Sequence, residues 1–207
     1  MKVLLINGSP HPNGCTYTAL REAAGALESE GIETEIFRIG NKPIRGCIAC
    51  GGCGSTGVCV FNDEAVEAAE KIAAADGLIV GSPVYYAGAN GSLLALLDRV
   101  FYFAGSRFAG KPAAAVVSAR RAGTTSALDQ INKYFGISRM PVVSSQYWNM
   151  VHGSTPDEVR RDAEGLQIMR TLGRNMAWLI KSIEAGKKAG ILPPEPEPRH
   201  EWTNFIR

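Results

Sequence analysis

Four cysteines stand within the stretch GCIACGGCGSTGVC at 46–59. Cys47, Cys50 and Cys53 are spaced three residues apart, and Cys59 follows shortly after. Thiolates at this compact spacing are typical of a single loop that wraps an iron–sulfur cluster, whereas structural zinc usually draws on two separated pairs of ligands. The stretch is also rich in glycine, which lets a loop curl tightly. The sequence favours metal ligands, and it leaves a four-iron cluster, unligated thiols and zinc as the alternatives.

A second candidate site follows the first apolar run, in NGSPHPNGCTYT at 7–18. Its small and hydroxyl-bearing residues allow backbone N–H groups to converge on an anion, together with Ser9, Thr16 and Thr18. A helix that starts here adds the positive end of its dipole. The stretch has neither the Gly-Lys-Ser/Thr of a P-loop nor the G-x-G-x-x-G of dinucleotide-binding folds. It indicates a phosphate-binding loop, the alternative being an ordinary capped turn from strand to helix.

A third stretch, GSPVYYAGANGSLLALLDR at 81–99, continues a buried apolar run into Pro83, two tyrosines and several small residues. Exposed backbone between aromatic walls suits a flat ring with hydrogen-bonding edges. Tyr85 and Tyr86 would form those walls. The alternative for the tyrosines is packing in the core or in an interface.

Short apolar runs alternate with amphipathic segments along the chain, and this pattern predicts the elements that position these stretches. We predict strands at 2–7, 33–39, 77–84, 112–119 and 140–148, and helices at 16–31, 63–77, 90–103, 124–136 and from Thr155 onward. Strands separated by single helices form a parallel sheet with helices on both faces. The expected fold is a doubly wound α/β sheet of five strands in the order 2-1-3-4-5, where ligands bind beside strands 1 and 3.

The 207-residue chain is predicted to form one domain at 1–184, with the cysteine loop inserted after the second strand, and a Pro-rich extended arm at 185–207. Trp202 and Phe205 of the arm are candidate anchors on a neighbouring subunit. A net charge of +2 gives no reason to expect nucleic acid or a membrane as partner. No apolar run reaches membrane-spanning length, so a cytoplasmic protein is expected, where reduced thiols favour metal or redox roles over disulfides.

Residues 1–150 resemble the NADPH-dependent FMN reductase family of flavodoxin-like proteins, since the three stretches occur in that family's order. The cysteine spacing C-x2-C-x2-C-x5-C is similar to that of its iron-sulfur flavoproteins. The resemblance implies a flavodoxin-like fold and FMN, with the phosphate held in the first loop. Cys15 departs from the pattern, because relatives usually carry Asn there, and it is expected to contribute its backbone N–H alone. The other matching positions are Ser9, Asn13, Gly14, Thr16, Tyr17 and Thr18.

The resemblance also implies a place for the flavin ring, against Pro83, Val84, Tyr85, Tyr86, Ala87 and Gly88. The turn after the fourth strand, SARRAGTT at 118–125, is expected to close the other side through Ser118, Arg120, Arg121, Gly123 and Thr124. Either arginine would bring positive charge to the ring or to a nicotinamide phosphate, the alternative being a solvated surface cation. Cys47, Cys50, Cys53 and Cys59 would hold a 4Fe-4S cluster.

The leading functional hypothesis is an FMN-dependent oxidoreductase. It would take reducing equivalents from NAD(P)H or a ferredoxin-like donor and reduce a flavin, a quinone or another small acceptor. Because a flavin carries the chemistry itself, no catalytic nucleophile, triad or general base is predicted. One alternative is an iron-sulfur flavoprotein that carries electrons without a dedicated substrate, and another is a non-catalytic FMN-binding redox sensor. The nearly all-round apolar helix at 92–103, together with the assembly of relatives, predicts a homodimer or homotetramer.

Overall fold

A computed structural model describes residues 1–198 and contains a parallel sheet whose strands follow the predicted alternation with helices. The strands are β1 Lys2–Asn7, β2 Glu33–Arg38, β3 Gly77–Tyr85, the two-residue β4 Gly88–Ala89, β5 Ala113–Ala119 and β6 Met150–His152. The order β2-β1-β3-β5-β6 is parallel throughout, and β4 pairs antiparallel with the end of β3. The five parallel strands confirm the predicted flavodoxin-like order.

The helices cover both faces of this sheet. They are α1 Cys15–Ser29, α2 Gly52–Thr56, α3 Glu64–Ala74, α4 Gly91–Ala104, α5 Thr124–Ile137, α6 Pro156–Arg161 and α7 Ala163–Lys188, with a 3-10 turn at Gly105–Phe108. Alternate residues of β1 point to opposite faces: Leu4 and Ile6 pack with α3, α4 and α5, while Val3 and Leu5 pack with α1 and α7. Within residues 1–198, none of these helices combines the length and the apolar composition that crossing a membrane requires.

The fifth strand lies later than predicted, because the run at 140–148 leaves the sheet almost at once. Pro141 has no N–H to donate, and only an isolated bridge between Val142 and Ala113 forms there. The following segment instead bonds to α7, as in the 2.9 Å contact from Asn175 Nδ2 to the Ser144 carbonyl. Pairing resumes at 150–152. The predicted strand at 140–148 is therefore wrong, since polar contacts with α7 hold that segment away from β5.

The C-terminal helix begins as the sequence indicates but is interrupted. Thr155 Oγ1 accepts from the backbone N–H of Glu158 at 3.2 Å and caps α6. The chain then bends at Asp162, whose carboxylate accepts from the N–H groups of Gly165 at 2.9 Å and His152 at 2.6 Å. The second helix, α7, ends at Lys188, so it continues past the predicted domain boundary at 184. The predicted anchors Trp202 and Phe205 lie outside the described residues.

Candidate functional site

The loop between β1 and α1, residues 8–14, is shaped by contacts with its neighbours and with its own side chains; we call it the phosphate loop. The Gly8 N–H donates to the Gly81 carbonyl of β3 at 2.8 Å. Ser9 is buried, its N–H donates to Asn7 Oδ1 at 3.1 Å, and its Oγ accepts from the His11 N–H at 3.2 Å. These bonds fix the course of the backbone before any ligand arrives, which is the condition for a preorganised binding loop.

Helix α1 starts directly after this loop, and its first N–H groups are left for an anion. Gly14 is the N-cap residue, and no side chain within residues 1–198 caps the helix. Thr18 Oγ1 donates to the Gly14 carbonyl at 3.1 Å. Thr16 is buried, and its hydroxyl pairs with that of Ser118 at 2.8 Å, which ties α1 to the end of β5. Thr16 and Ser118 therefore brace the site, while the helix dipole and backbone face its ligand.

Two further predicted residues lie at the outer side of the phosphate loop. Asn13 is exposed on the loop itself. Tyr17 is half-buried in the first turn of α1, and the Arg38 guanidinium lies 5.1 Å from its ring centroid. This cation–π contact places a positive charge from the end of β2 next to the loop. The electrostatics near the predicted phosphate position are thus favourable to an anion.

The Cys15 thiol contacts a different part of the chain. Its Sγ donates to the Gly153 carbonyl at 3.7 Å, just after β6. Burial raises the pKa of the Cys15 thiol, and the nearby Glu158 carboxylate adds to that shift. With the thiol engaged at Gly153, the backbone N–H is the group that Cys15 has free to offer at the start of α1.

We expect Cys15 to react slowly with iodoacetamide. Because the thiolate is the nucleophile, a raised pKa and partial burial should make alkylation about tenfold slower at pH 8 than in the unfolded chain. The rate should climb as the pH is raised above the ordinary thiol range. Mass spectrometry of the peptide that contains Cys15 measures it in folded and urea-unfolded protein. Equal rates in the two states would contradict the prediction.

The second loop, residues 83–88, forms a tight hairpin that we call the ring loop. Tyr86 and Ala87 both adopt left-handed backbone conformations, with φ of 49° and 59°. Consecutive non-glycine residues in this region suit the turn of a two-residue hairpin, and such strain concentrates at functional sites. Tyr85 is 46% exposed and Tyr86 fully exposed, so neither is packed in the core of this chain. Pro83 and Val84 are half-buried at the end of β3, and Gly88 is half-buried at the start of β4.

The turn after β5 packs directly against the ring loop. Gly123 has φ of 89°, and a Cβ placed there would lie 2.7 Å from Ala87 Cα. Thr124, the first residue of α5, is buried beside it. Arg120 and Arg121 are exposed, and neither forms an ion pair with a residue in the described part of the chain. The structure therefore brings the turn and the ring loop together and leaves two cations in solvent beside them.

Asn90 is a positioning residue that our sequence analysis missed. Its Nδ2 donates to the Gly8 carbonyl at 2.8 Å, its backbone N–H to Ser82 Oγ at 2.9 Å, and its Oδ1 accepts from the Ser92 N–H at 2.8 Å. The buried Asn90 thus joins the phosphate loop and the N-terminus of α4 through its side chain, and β3 through its backbone N–H. The available signal was its place before an apolar helix, where asparagine is a preferred cap.

These loops fit the phosphate and ring of FMN. The Asn7 side chain is buried at the end of β1, and its Nδ2 has no hydrogen-bond partner among residues 1–198. Buried donors of this kind are normally satisfied, so an unused one beside the phosphate loop suits a ligand rich in acceptors. Together with the uncapped start of α1 and the exposed aromatic ring loop, it matches a phosphorylated ligand with a flat ring.

Gln130 on α5 supports the ring loop, and its loss should weaken that loop. Its Oε1 accepts from the Ala89 N–H at 2.8 Å. Because Ala89 is buried, Gln130→Leu should leave a donor unsatisfied and lower the free energy of unfolding by about 1–3 kcal/mol. FMN affinity should fall as well. Gln130→Glu keeps the acceptor and should lie near the parent in urea unfolding; equal stability of the leucine variant would contradict the role.

The cysteine loop, residues 46–59, lies beside α4. It contains the short helix α2, which has left-handed glycines at both ends, Gly51 and Gly57. All five cysteines of the chain are free thiols. A single pocket is lined by the four clustered sulfur residues and by mostly apolar neighbours; its lining includes Cys47, Ile48, Cys50, Cys53, Cys59, Val60, Phe61, Arg99, Tyr102 and Phe103. The structure thus gathers the four predicted metal ligands around one apolar pocket.

The metal-ligating side chains that line this pocket are cysteines alone. Within the described residues, no group of three or more His, Cys, Asp or Glu side chains is arranged to hold one metal ion. Zinc in a structural site needs four ligands around one point. A four-iron cluster spreads its thiolates over a larger body and is held by cysteines alone. Four thiols around an apolar pocket suit that group.

Arg99 is a second residue that the sequence analysis missed. Its side chain is 2% exposed and forms an ion pair with Asp63 at 2.6 Å. Hydrogen bonds from Arg99 hold the pKa of the Asp63 carboxyl below its usual value, and that partner in turn raises the pKa of Arg99. Arg99 NH2 also lies 3.3 Å from Cys59 Sγ. The sequence signal for this residue was an arginine within an apolar helix, because an arginine that is buried requires a partner.

Comparison with known proteins identifies the family of the chain. The model of the NADPH-dependent FMN reductase family matches residues 1–155. The chain is 36% identical to an iron-sulfur flavoprotein of Methanocaldococcus jannaschii over 194 residues, which cover 89% of this chain and 100% of the relative. It is 29% identical to an iron-sulfur flavoprotein of Methanosarcina thermophila, covering 90% of this chain and 99% of that protein.

Solved structures show the same fold. A flavone reductase superposes with a TM-score of 0.70 at 20% identity, covering 89% of this chain and 64% of that one. A flavodoxin from the domain Archaea superposes with a TM-score of 0.60 at 16% identity, covering 87% of this chain and 99% of that one. The chain therefore belongs to the NADPH-dependent FMN reductase family, as an FMN-binding oxidoreductase that groups with the iron-sulfur flavoproteins.

Proposed function

We propose that this oxidoreductase takes reducing equivalents from NAD(P)H and passes them to a small acceptor such as a flavin or a quinone. The observation that carries the proposal is the meeting of three loops at the carboxyl ends of β1, β3 and β5, where the uncapped start of α1 lies near an exposed aromatic loop. Bound FMN supplies the hydride and single-electron chemistry. The exposed side of the ring loop leaves room for a second flat molecule.

The protein's residues have three tasks in this proposal. The start of α1 and the phosphate loop hold the FMN phosphate, and Asn7 supplies one further donor. The ring loop and the turn at 120–124, which pack against each other, together form the surface that holds the ring. Arg120 and Arg121, both exposed next to that turn, attract the phosphates of NAD(P)H or an anionic acceptor.

We further propose that Cys47, Cys50, Cys53 and Cys59 hold a 4Fe-4S cluster. Support comes from the apolar pocket that all four line and from the name shared by the curated relatives, iron-sulfur flavoproteins. Cys47 and Cys50 line this pocket and are exposed. A cluster held there would supply single-electron transfer between FMN and a partner.

The cysteine pocket favours a second candidate function, that of an electron carrier. Ile48, Val60 and Tyr102 line the pocket and are 57%, 54% and 72% exposed. Exposed apolar side chains around a redox centre suit transient docking of a ferredoxin-like donor more than a small substrate. In that case the protein would carry electrons without a dedicated acceptor pocket.

Anaerobic stopped-flow reduction separates the two functions. Rapid bleaching of FMN by NADPH or NADH, followed by multiple turnovers with a quinone or free flavin, supports the reductase. A flavin that ignores both nucleotides but is reduced by a ferredoxin would contradict it and favour the carrier. Bound flavin that is reduced neither by the nucleotides nor by a ferredoxin would contradict both functions and favour a redox sensor.

We also propose that the protein is a homodimer or a homotetramer. Light scattering of the holoprotein tests this proposal.

A further inference from the structure

Arg99 is the one charged side chain among the buried residues of α4. Two hydrogen bonds of 2.6 Å and 2.8 Å join its guanidinium to the Asp63 carboxylate. It also donates to the carbonyls of Arg45 at 3.2 Å and Phe61 at 3.4 Å. Arg45 precedes the first cysteine of the loop by two residues, and Phe61 follows the last by two. Arg99 therefore fastens both ends of the cysteine loop to helix α4.

The same guanidinium lies at the cysteine pocket. Its NH2 group donates to Cys59 Sγ at 3.3 Å, and Arg99 lines the pocket together with all four cysteines. Its Nε is buried and has no hydrogen-bond partner within residues 1–198. Asp63 is not among the residues that line this pocket. The positive end of the ion pair thus contacts the Cys59 thiol, while Asp63 lies outside the pocket lining.

With the proposed cluster bound, four thiolates would concentrate negative charge at this mostly apolar pocket. Such charge is costly to bury unless a cation or hydrogen-bond donors compensate it. Arginine suits this task, because its fork can hold a carboxylate and still donate to other acceptors. The Arg45 guanidinium lies 4.7 Å from the Phe61 ring centroid, whereas Arg99 itself contacts a sulfur. Among the contacts of the described residues, Arg99 makes the one direct contact between a cation and a clustered thiol.

We propose that Arg99 is a positioning residue of the cysteine pocket, which fixes Cys59 as the fourth thiolate and makes the bound cluster easier to reduce. This inference rests on the proposed 4Fe-4S cluster. Reduction adds one electron and breaks no bond to Arg99, so the cluster and its thiolates gain one negative charge. A neighbouring cation that donates to a sulfur stabilises that more negative form, which raises the reduction potential.

Three variants and a control test the proposal in the holoprotein, after anaerobic reconstitution with iron and sulfide. Arg99→Gln removes the charge, and Arg99→Lys keeps the charge without the fork. Asp63→Asn keeps an N-cap for α3, since asparagine caps as well as aspartate, but removes the negative end of the pair. Arg107→Gln is the matched control, because Arg107 is an exposed arginine whose ion pair is with Glu70.

The measurements are iron, sulfide and FMN per chain, and the potential of the cluster in an EPR-monitored titration. Arg99→Gln should hold less than half of the parent's iron. Its one-electron reduction should be at least tenfold less favourable, which lowers the reduction potential of the cluster by about 59 mV. Asp63→Asn should shift the potential in the opposite direction. Arg99→Lys should stay near the parent's potential with reduced iron, and Arg107→Gln should match the parent in both. FMN content should not change in any variant.

Different results overturn different claims. A parent protein that binds FMN but neither iron nor sulfide overturns the cluster and the role of Arg99 together, while the flavin function stands. A parent that binds iron, with Arg99→Gln unchanged in iron and potential, overturns the role of Arg99 alone. If Arg99→Gln and Asp63→Asn shift the reduction potential equally and in the same direction, the Arg99–Asp63 pair has only a structural role, and the proposal is overturned. If Arg99→Gln does not fold, parent values in both Arg99→Lys and Asp63→Asn overturn the proposal.

Discussion

Replacing Cys50 with serine is expected to leave a protein that binds FMN but has lost its iron. A hydroxyl is a poor ligand for iron in a cluster that cysteine thiolates hold, and three remaining thiols leave one corner open. Iron should fall from about four atoms to below one per chain. The flavin should remain, because the phosphate loop and the ring loop share no residue with the cysteine loop. Iron and sulfide assays with an absorption spectrum, all under anaerobic conditions, measure both cofactors in one sample.

Cys15→Ser is the matched control for this experiment. Cys15 lies at the start of α1, and its thiol bonds to the Gly153 carbonyl, outside the pocket of the other four. Its substitution should leave the iron content at the parent's value. Undiminished iron in Cys50→Ser, or an equal loss in Cys15→Ser, would refute the assignment of the four clustered residues as ligands.

Replacing Gly123 with valine is expected to weaken FMN binding about 100-fold, which corresponds to about 2.7 kcal/mol. A β-branched residue is strained at φ of 89°, and its Cβ would lie 2.7 Å from Ala87 Cα. Strain of this kind costs about 1–3 kcal/mol, and the contact would push the ring loop away from the turn after β5. Quenching of flavin fluorescence during titration with the apoprotein measures the affinity.

Gly136→Ala, in the helix α5 that follows Gly123, provides the control. Gly136 is exposed near the end of α5, and a Cβ there meets no heavy atom within 4 Å. Alanine should leave FMN affinity unchanged and raise the free energy of unfolding by about 0.5–1 kcal/mol, since glycine is unfavourable inside a helix. Parent-like affinity in Gly123→Val would show that the packing of these two loops does not support the ring.

The site shows which contacts a sequence can reveal. The phosphate loop, the ring loop and the cysteine loop were visible as local combinations of small, aromatic and thiol residues. Their supports were not, because each joins residues far apart in the chain: Asn90 to Gly8, Gln130 to Ala89, and Arg99 to Asp63. No local pattern specifies such pairs. They follow from how the helices pack on the sheet.

The order of elements and the five-stranded parallel sheet were determined by the sequence alone, because hydrophobic periodicity and right-handed crossovers are local and general rules. The position of the last strand was decided by tertiary structure. The run at 140–148 has the composition of a strand, yet its polar groups bond to α7 and pairing with β5 resumes at 150–152. The position of this strand depends on whether segment 140–148 bonds to β5 or to α7. The outcome is defined only once α7 has packed beside the sheet.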